Sequence, residues 1–108
     1  MKISQLKNKT YTNDELESLD YEPNFVDIYV ADVDLRLKDI KGVLGSPTRN
    51  LPKHTDWYLF SDGSIIKLMF VKSDEGTYKT LYISAEQGVN ENTLYDLLEL
   101  FVNDDTED

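Results

Sequence analysis

Residues able to do chemistry are sparse in this 108-residue chain. There is no cysteine, so thiolate nucleophiles, thiolate zinc sites and disulfides are excluded. His54 is the single histidine. A Ser-His-Asp triad needs partners converging on it, and a two-histidine metal site needs a second ring. Its neighbours are Lys53 and Thr55, inside a stretch that reads as a loop, so His54 is expected to be an ordinary exposed side chain. Carboxylates alone can run glycosidase chemistry, but the 21 Asp and Glu residues single out no pair. Asp32-Val33-Asp34 and the terminal Asp104, Asp105, Glu107 and Asp108 lack the ligand spacing and turn glycine of a calcium loop. No G-x-x-x-x-G-K-[ST] phosphate loop is present. The residue types therefore point to no catalytic residue, no metal and no cofactor, and to binding rather than catalysis.

Charge carries more information. The formal net charge is −10. Residues 1–9 hold lysines and no acid, residues 10–34 hold eight acids and no base, and residues 80–108 hold eight acids and no base. The middle, 35–79, is mildly basic. Such blocks disfavour direct contact with nucleic acid or anionic membrane, both of which need a basic footprint. They steer a basic protein partner and speed its encounter at low salt. The first residues lack the apolar core of a signal peptide, and no apolar run approaches a membrane span. The expectation is a cytoplasmic protein.

The elements follow from pattern. Thr12-Asn13-Asp14-Glu15 matches a capping box, predicting a short helix with Leu16 and Leu19 on its apolar edge, ending near Asp20. Phe25–Val30 alternates, with Val26, Ile28 and Val30 on one face, and predicts a strand. A helix follows over 37–44, stopped by Gly45 and Pro47. Residues 45–56 read as a loop. Three strands come next: Trp57–Phe60, Ile65–Val71 and Tyr78–Ser84. Asp62-Gly63 favours a two-residue turn, which pairs Leu59 with Ile66 and Trp57 with Leu68. A loop over Ser73–Gly76 would set Leu68 against Leu81 and Ile66 against Ile83. Leu94, Leu97, Leu98, Phe101 and Val102 make the stripe of a C-terminal helix capped by Asn90 or Asn92.

The predicted fold is α+β: an antiparallel sheet of about four strands packed against the C-terminal helix and one or two short helices. Residues 1–103 form one domain and 104–108 an acidic tail. One sheet face (Trp57, Leu59, Ile66, Leu68, Leu81, Ile83) is core. The other carries Tyr58, Phe60, Ile65, Lys67, Met69, Val71, Tyr78, Thr80 and Tyr82. It is either a second core layer or an interface, since Tyr and Met gain contact area at low entropic cost.

Leu37-Lys38-Asp39-Ile40-Lys41-Gly42-Val43-Leu44-Gly45-Ser46-Pro47-Thr48, followed by the strand Trp57-Tyr58-Leu59-Phe60, resembles small bacterial α+β domains. These are lipoproteins of the BamE/SmpA type, related β-lactamase-inhibitor-like domains, and toxin immunity proteins of similar layout. The resemblance spans roughly residues 37–70. It departs from the lipoproteins in lacking a lipidation cysteine, and it implies a fold whose members mostly bind proteins. The functional expectation is a protein-binding inhibitor, most concretely an immunity protein neutralising a basic toxin, often a nuclease. Asp32, Asp34, Tyr58, Phe60, Tyr78 and Tyr82 are the candidate partner-binding residues. The alternatives are a phage-type DNA mimic inhibiting a defence nuclease, an enzyme or small-molecule carrier, and a structural domain that is a monomer or homodimer.

Overall fold

In the computed structural model the described residues are 9–10, 12–19, 22–61 and 63–101. The predicted tail, Val102, Asp20 and Asp62 lie outside them. The elements run β1 (Lys9–Thr10), α1 (Asn13–Glu17), β2 (Phe25–Leu35), α2 (Leu37–Leu44), β3 (Arg49–Asn50), β4 (His54–Ser61), β5 (Ser64–Lys72), β6 (Tyr78–Glu86) and α3 (Glu91–Phe101). The fold is α+β, as the pattern predicts. Four long strands stand in the order β4-β5-β6-β2, all antiparallel. The two-residue strands β1 and β3 pair with opposite ends of β4 along its outer edge.

The caps are the predicted ones. Thr12 Oγ1 accepts from the Glu15 N–H, and Glu15 Oε1 accepts from the Thr12 N–H. The Asn90 side chain accepts from the Asn92 N–H at 2.8 Å, starting α3. Gly45 takes φ +81 and ends α2, a conformation costly for any residue with a Cβ.

The β4–β5 register is the predicted one, with Trp57 opposite Leu68 and Leu59 opposite Ile66. The β5–β6 register differs by two residues. Leu68 faces Ile83, Ile66 faces Ala85 and Phe70 faces Leu81. Two single-residue steps add up to this. Ser73 N–H bonds the Thr77 carbonyl, which tightens the loop, and a bulge follows at Val71/Lys72 against Tyr78 and Thr80. An even shift preserves the faces of Leu81 and Ile83. Tyr78 lies between the two steps, so it changes face.

The core lies between the sheet and the pair α2 and α3. It gathers Trp57, Leu59, Ile66, Leu68, Phe70, Leu81 and Ile83 with Ile40 and Leu44 of α2 and Leu94, Leu97 and Phe101 of α3. Phe70 is its hub. Its ring meets Trp57, Tyr78 and Phe101 edge-on, at centroid distances of 5.4, 6.2 and 5.2 Å. No helix among the described residues is long and apolar enough to cross a membrane.

Candidate functional site: the open sheet face and its bare edge

Pairing across the four long strands places side chains of the second face in rows. Phe25 stands opposite Glu86, and Ile65 opposite Phe60. Ile28, Ser84, Lys67 and Tyr58 form the next row, then Val30, Tyr82, Met69 and Asp56, then Asp32, Thr80, Val71 and His54. This face is divided. At one end Leu16 of α1, Tyr58 and Ile65 close a small second cluster, with Leu19 and Phe25 packed against it. At the other end Tyr82, Met69 and Val71 are half-buried, and Ile28 and Val30 are 63% and 59% exposed. Two neighbouring aliphatic residues left so bare on a strand are the informative departure from ordinary burial.

The predicted site residues separate accordingly. Asp32 is exposed and Tyr82 half-buried, in adjacent rows on the open end. Asp34 is exposed and holds the Lys79 ammonium at 2.8 Å. This hydrogen bond raises the Lys79 pKa, against a smaller lowering by desolvation. Phe60 is 40% exposed at the opposite edge of the sheet. Tyr58 is buried in the second cluster, where the Arg49 guanidinium and Lys67 ammonium lie 5.9 and 5.7 Å from its ring centroid. Tyr78 is a correction: it belongs to the main core, 2% exposed, with its hydroxyl 2.7 Å from Thr55 Oγ1. The bulge that reverses its face is a tertiary feature that period-2 reading cannot supply.

His54 is a second correction. It opens β4 rather than lying in a loop, and its Nδ1 sits 2.8 Å from Asp56 Oδ1. The Asp56 side chain is 3% exposed and that of His54 29%. The alternation of Thr55, Trp57 and Leu59 as core residues was the available signal that the strand begins earlier. An aspartate holding Nδ1 orients an imidazole for work through Nε2. The rest of its row is Val71, Thr80 and Asp32, with no serine or second imidazole. Among the described residues no group of three His, Asp or Glu could hold a metal. An open groove of about 430 Å³ lies between α1 and Tyr58, with Glu22 and Arg49 at its wall.

The two edges of the sheet differ. On β4 the outward groups are engaged: the His54 carbonyl accepts from Leu51, the Asp56 carbonyl from Thr48, and the Tyr58 N–H donates to Thr48 Oγ1. This fixes the phase of the antiparallel ladders. If residues 56 and 58 turn outward, Trp57 and Leu59 bond Leu68 and Ile66 on β5. Lys67 and Met69 then bond Ser84 and Tyr82 on β6, and Tyr29 and Ala31 bond Ile83 and Leu81. The Ile65 N–H, donating to Glu86 on β6, has the same phase. Ile28, Val30 and Asp32 are left with N–H and C=O directed off the sheet, and among the described residues no strand pairs with that edge.

On the helix side of the same edge, Tyr29 meets Tyr95 edge-on at 5.7 Å and donates its hydroxyl to Glu91. Burial, then the Glu91 carboxylate, pushes the Tyr29 pKa up to about 12. β2 itself carries Asp27, Asp32 and Asp34 and no base.

No protein-family model, curated protein or solved structure matches this chain.

Proposed function

We propose that this protein is a small protein-binding inhibitor whose partner is basic, most concretely an immunity protein that neutralises a basic toxin such as a nuclease. One observation carries the reading: the bare apolar pair Ile28 and Val30 lies beside Tyr82 and Asp32, on a strand with acids and no base. Apolar and aromatic contact supplies affinity, and the acids supply steering and rejection of acidic partners. The sequence resemblance of residues 37–70 to immunity proteins and BamE-like domains points to the same class. In this reading the protein acts in the cytoplasm, is not an enzyme and binds without a cofactor.

The DNA-mimic reading needs carboxylates in one continuous phosphate-like row. Here Asp32 lies at the open end of the second face and Glu86 at its closed end, while Glu91, Asp96 and Glu99 ride on α3, which packs on the other face. That distribution favours a basic protein over a nucleic-acid channel.

The test is affinity purification of the tagged protein from cells that make it, followed by mass spectrometry. A stoichiometric basic protein, captured less well by Ile28→Ser and Asp32→Asn variants, is the expected result. Association that is equally fast at low and high salt removes the electrostatic part. Recovery of no basic protein sinks the reading.

A further inference from the structure

We infer that β2 is a strand-addition site: a basic partner adds an extended segment, alternating apolar and basic residues, to its free edge. This deepens the binding reading above and rests on it for the class of partner. Three observations converge on it.

The first is the backbone. Ile28, Val30 and Asp32 direct N–H and C=O groups away from β6 to an edge where no described strand pairs, and these give an incoming strand its ladder. The second is length. Pairing of β2 with β6 is regular from Asp27 to Asp32 and is broken by irregularities on both sides, between Phe25 and Asp27 and between Asp32 and Leu35. A segment docks over that stretch and no further.

The third is chemistry. Residues that share a row share a face, so a docked strand sets its apolar side chains beside Ile28 and Val30. Its alternate side chains fall on the helix side, beside Asp27 and near Glu91 at the Tyr29 hydroxyl. Acids there select lysine or arginine. A second copy of β2 is the poorer occupant. A two-fold pairing of Ile28 with Val30 of another copy would line both sets of Asp27 and Asp32 along one seam, where β2 itself supplies no base and Lys79 is already held by Asp34.

Natural sheets protect long edges with lysine, proline or a covering loop. β2 has eleven residues, no lysine and no proline, and exposed aliphatics at its centre. Its acids oppose acidic and self-pairing strands while leaving the edge open to a basic one.

The experiment uses the full chain and a short capped peptide alternating lysine with valine. Amide hydrogen exchange is read by NMR. At saturating peptide, exchange at Ile28, Val30 and Asp32 slows by roughly tenfold or more. A peptide of the same composition with its lysines in one block, and one with glutamate for lysine, leave these amides unchanged. Val30→Pro abolishes the protection: it removes an outward N–H that the β6 ladder does not use, so the protein stays folded. A charge-reversed variant, Asp27→Lys, keeps every backbone group and weakens the preference for the lysine peptide over the glutamate peptide.

Lysine-peptide binding that leaves the three amides unprotected, or persists in V30P, overturns strand addition without touching the basic-partner reading. Absence of binding by the wild-type chain overturns it too. Protection that grows with protein concentration and needs no peptide assigns the edge to a second copy and also overturns it. Failure to recover a basic protein from cells, with peptide protection intact, instead overturns the partner reading.

Discussion

The Tyr78 hydroxyl and Thr55 Oγ1 lie 2.7 Å apart beneath the sheet, tying β6 to β4 across the intervening strand β5. Both side chains are buried, and Thr55 also donates to Asn50 Oδ1. Tyr78→Phe removes one buried hydrogen bond and keeps the ring against Phe70, so it costs about 1 kcal/mol. Tyr78→Ala also empties the ring's space and costs about 3–5 kcal/mol. Denaturant unfolding measures both. Partner binding by Tyr78→Phe is unchanged, because the side chain faces the core.

Tyr29 titrates late. Its folded pKa is about 12 against an ordinary 10.0. The neutral phenol is favoured in the folded state, so this contribution to stability is complete below pH 10.0 and is lost as pH rises toward 12. The NMR signal of the Tyr29 ring carbon bearing oxygen, followed against pH, reads the value directly. Glu91→Gln removes the neighbouring charge and lowers it, while the part due to burial remains.

His54→Ala leaves the nearly buried Asp56 carboxylate without its imidazole. The expected cost is about 1–3 kcal/mol, larger than an ordinary surface substitution. The double variant with Asp56→Ala recovers part of that loss, since no carboxylate is then stranded. A double-mutant cycle by urea unfolding measures the coupling.

Ile28→Ser separates binding from folding. Its side chain is 63% exposed, so stability changes by no more than about 0.5 kcal/mol. Affinity for the basic partner falls by about 1–2 kcal/mol, roughly tenfold, and mainly through faster dissociation. Asp32→Asn acts on the other rate: association slows and its salt dependence flattens. Surface plasmon resonance at two salt concentrations distinguishes them.

These residues show which parts of the molecule were legible in sequence. Local chemistry was: Thr12 and Glu15 specify a cap, and the β4–β5 register expected from the turn sequence is the one found, with Trp57 opposite Leu68 and Gly63 at φ +80. The faces of Leu81 and Ile83 follow from alternation alone. Tyr78 was not legible, because its face depends on a bulge that pairing creates. Asp32 and Tyr82 are singled out in sequence by charge and residue type, and the structure sets them in adjacent rows of the second face. The exposure of Ile28 and Val30 was not, because alternation reveals an apolar face but not what lies over it. That depends on strand order, which puts β2 at the end of the sheet. The His54–Asp56 contact was hidden by the loop-like composition before β4.

The short strands β1 and β3 set the valency of this molecule. Together with Thr48 they occupy the outer flank of β4, leaving the opposite flank as the one place where the described sheet can grow. If a partner strand adds there, as proposed above, the expected product is a closed one-to-one complex, because the described sheet offers no second edge to propagate it. On that proposal an exposed hydrophobic strand, ordinarily the seed of a fibre, would terminate assembly at a pair.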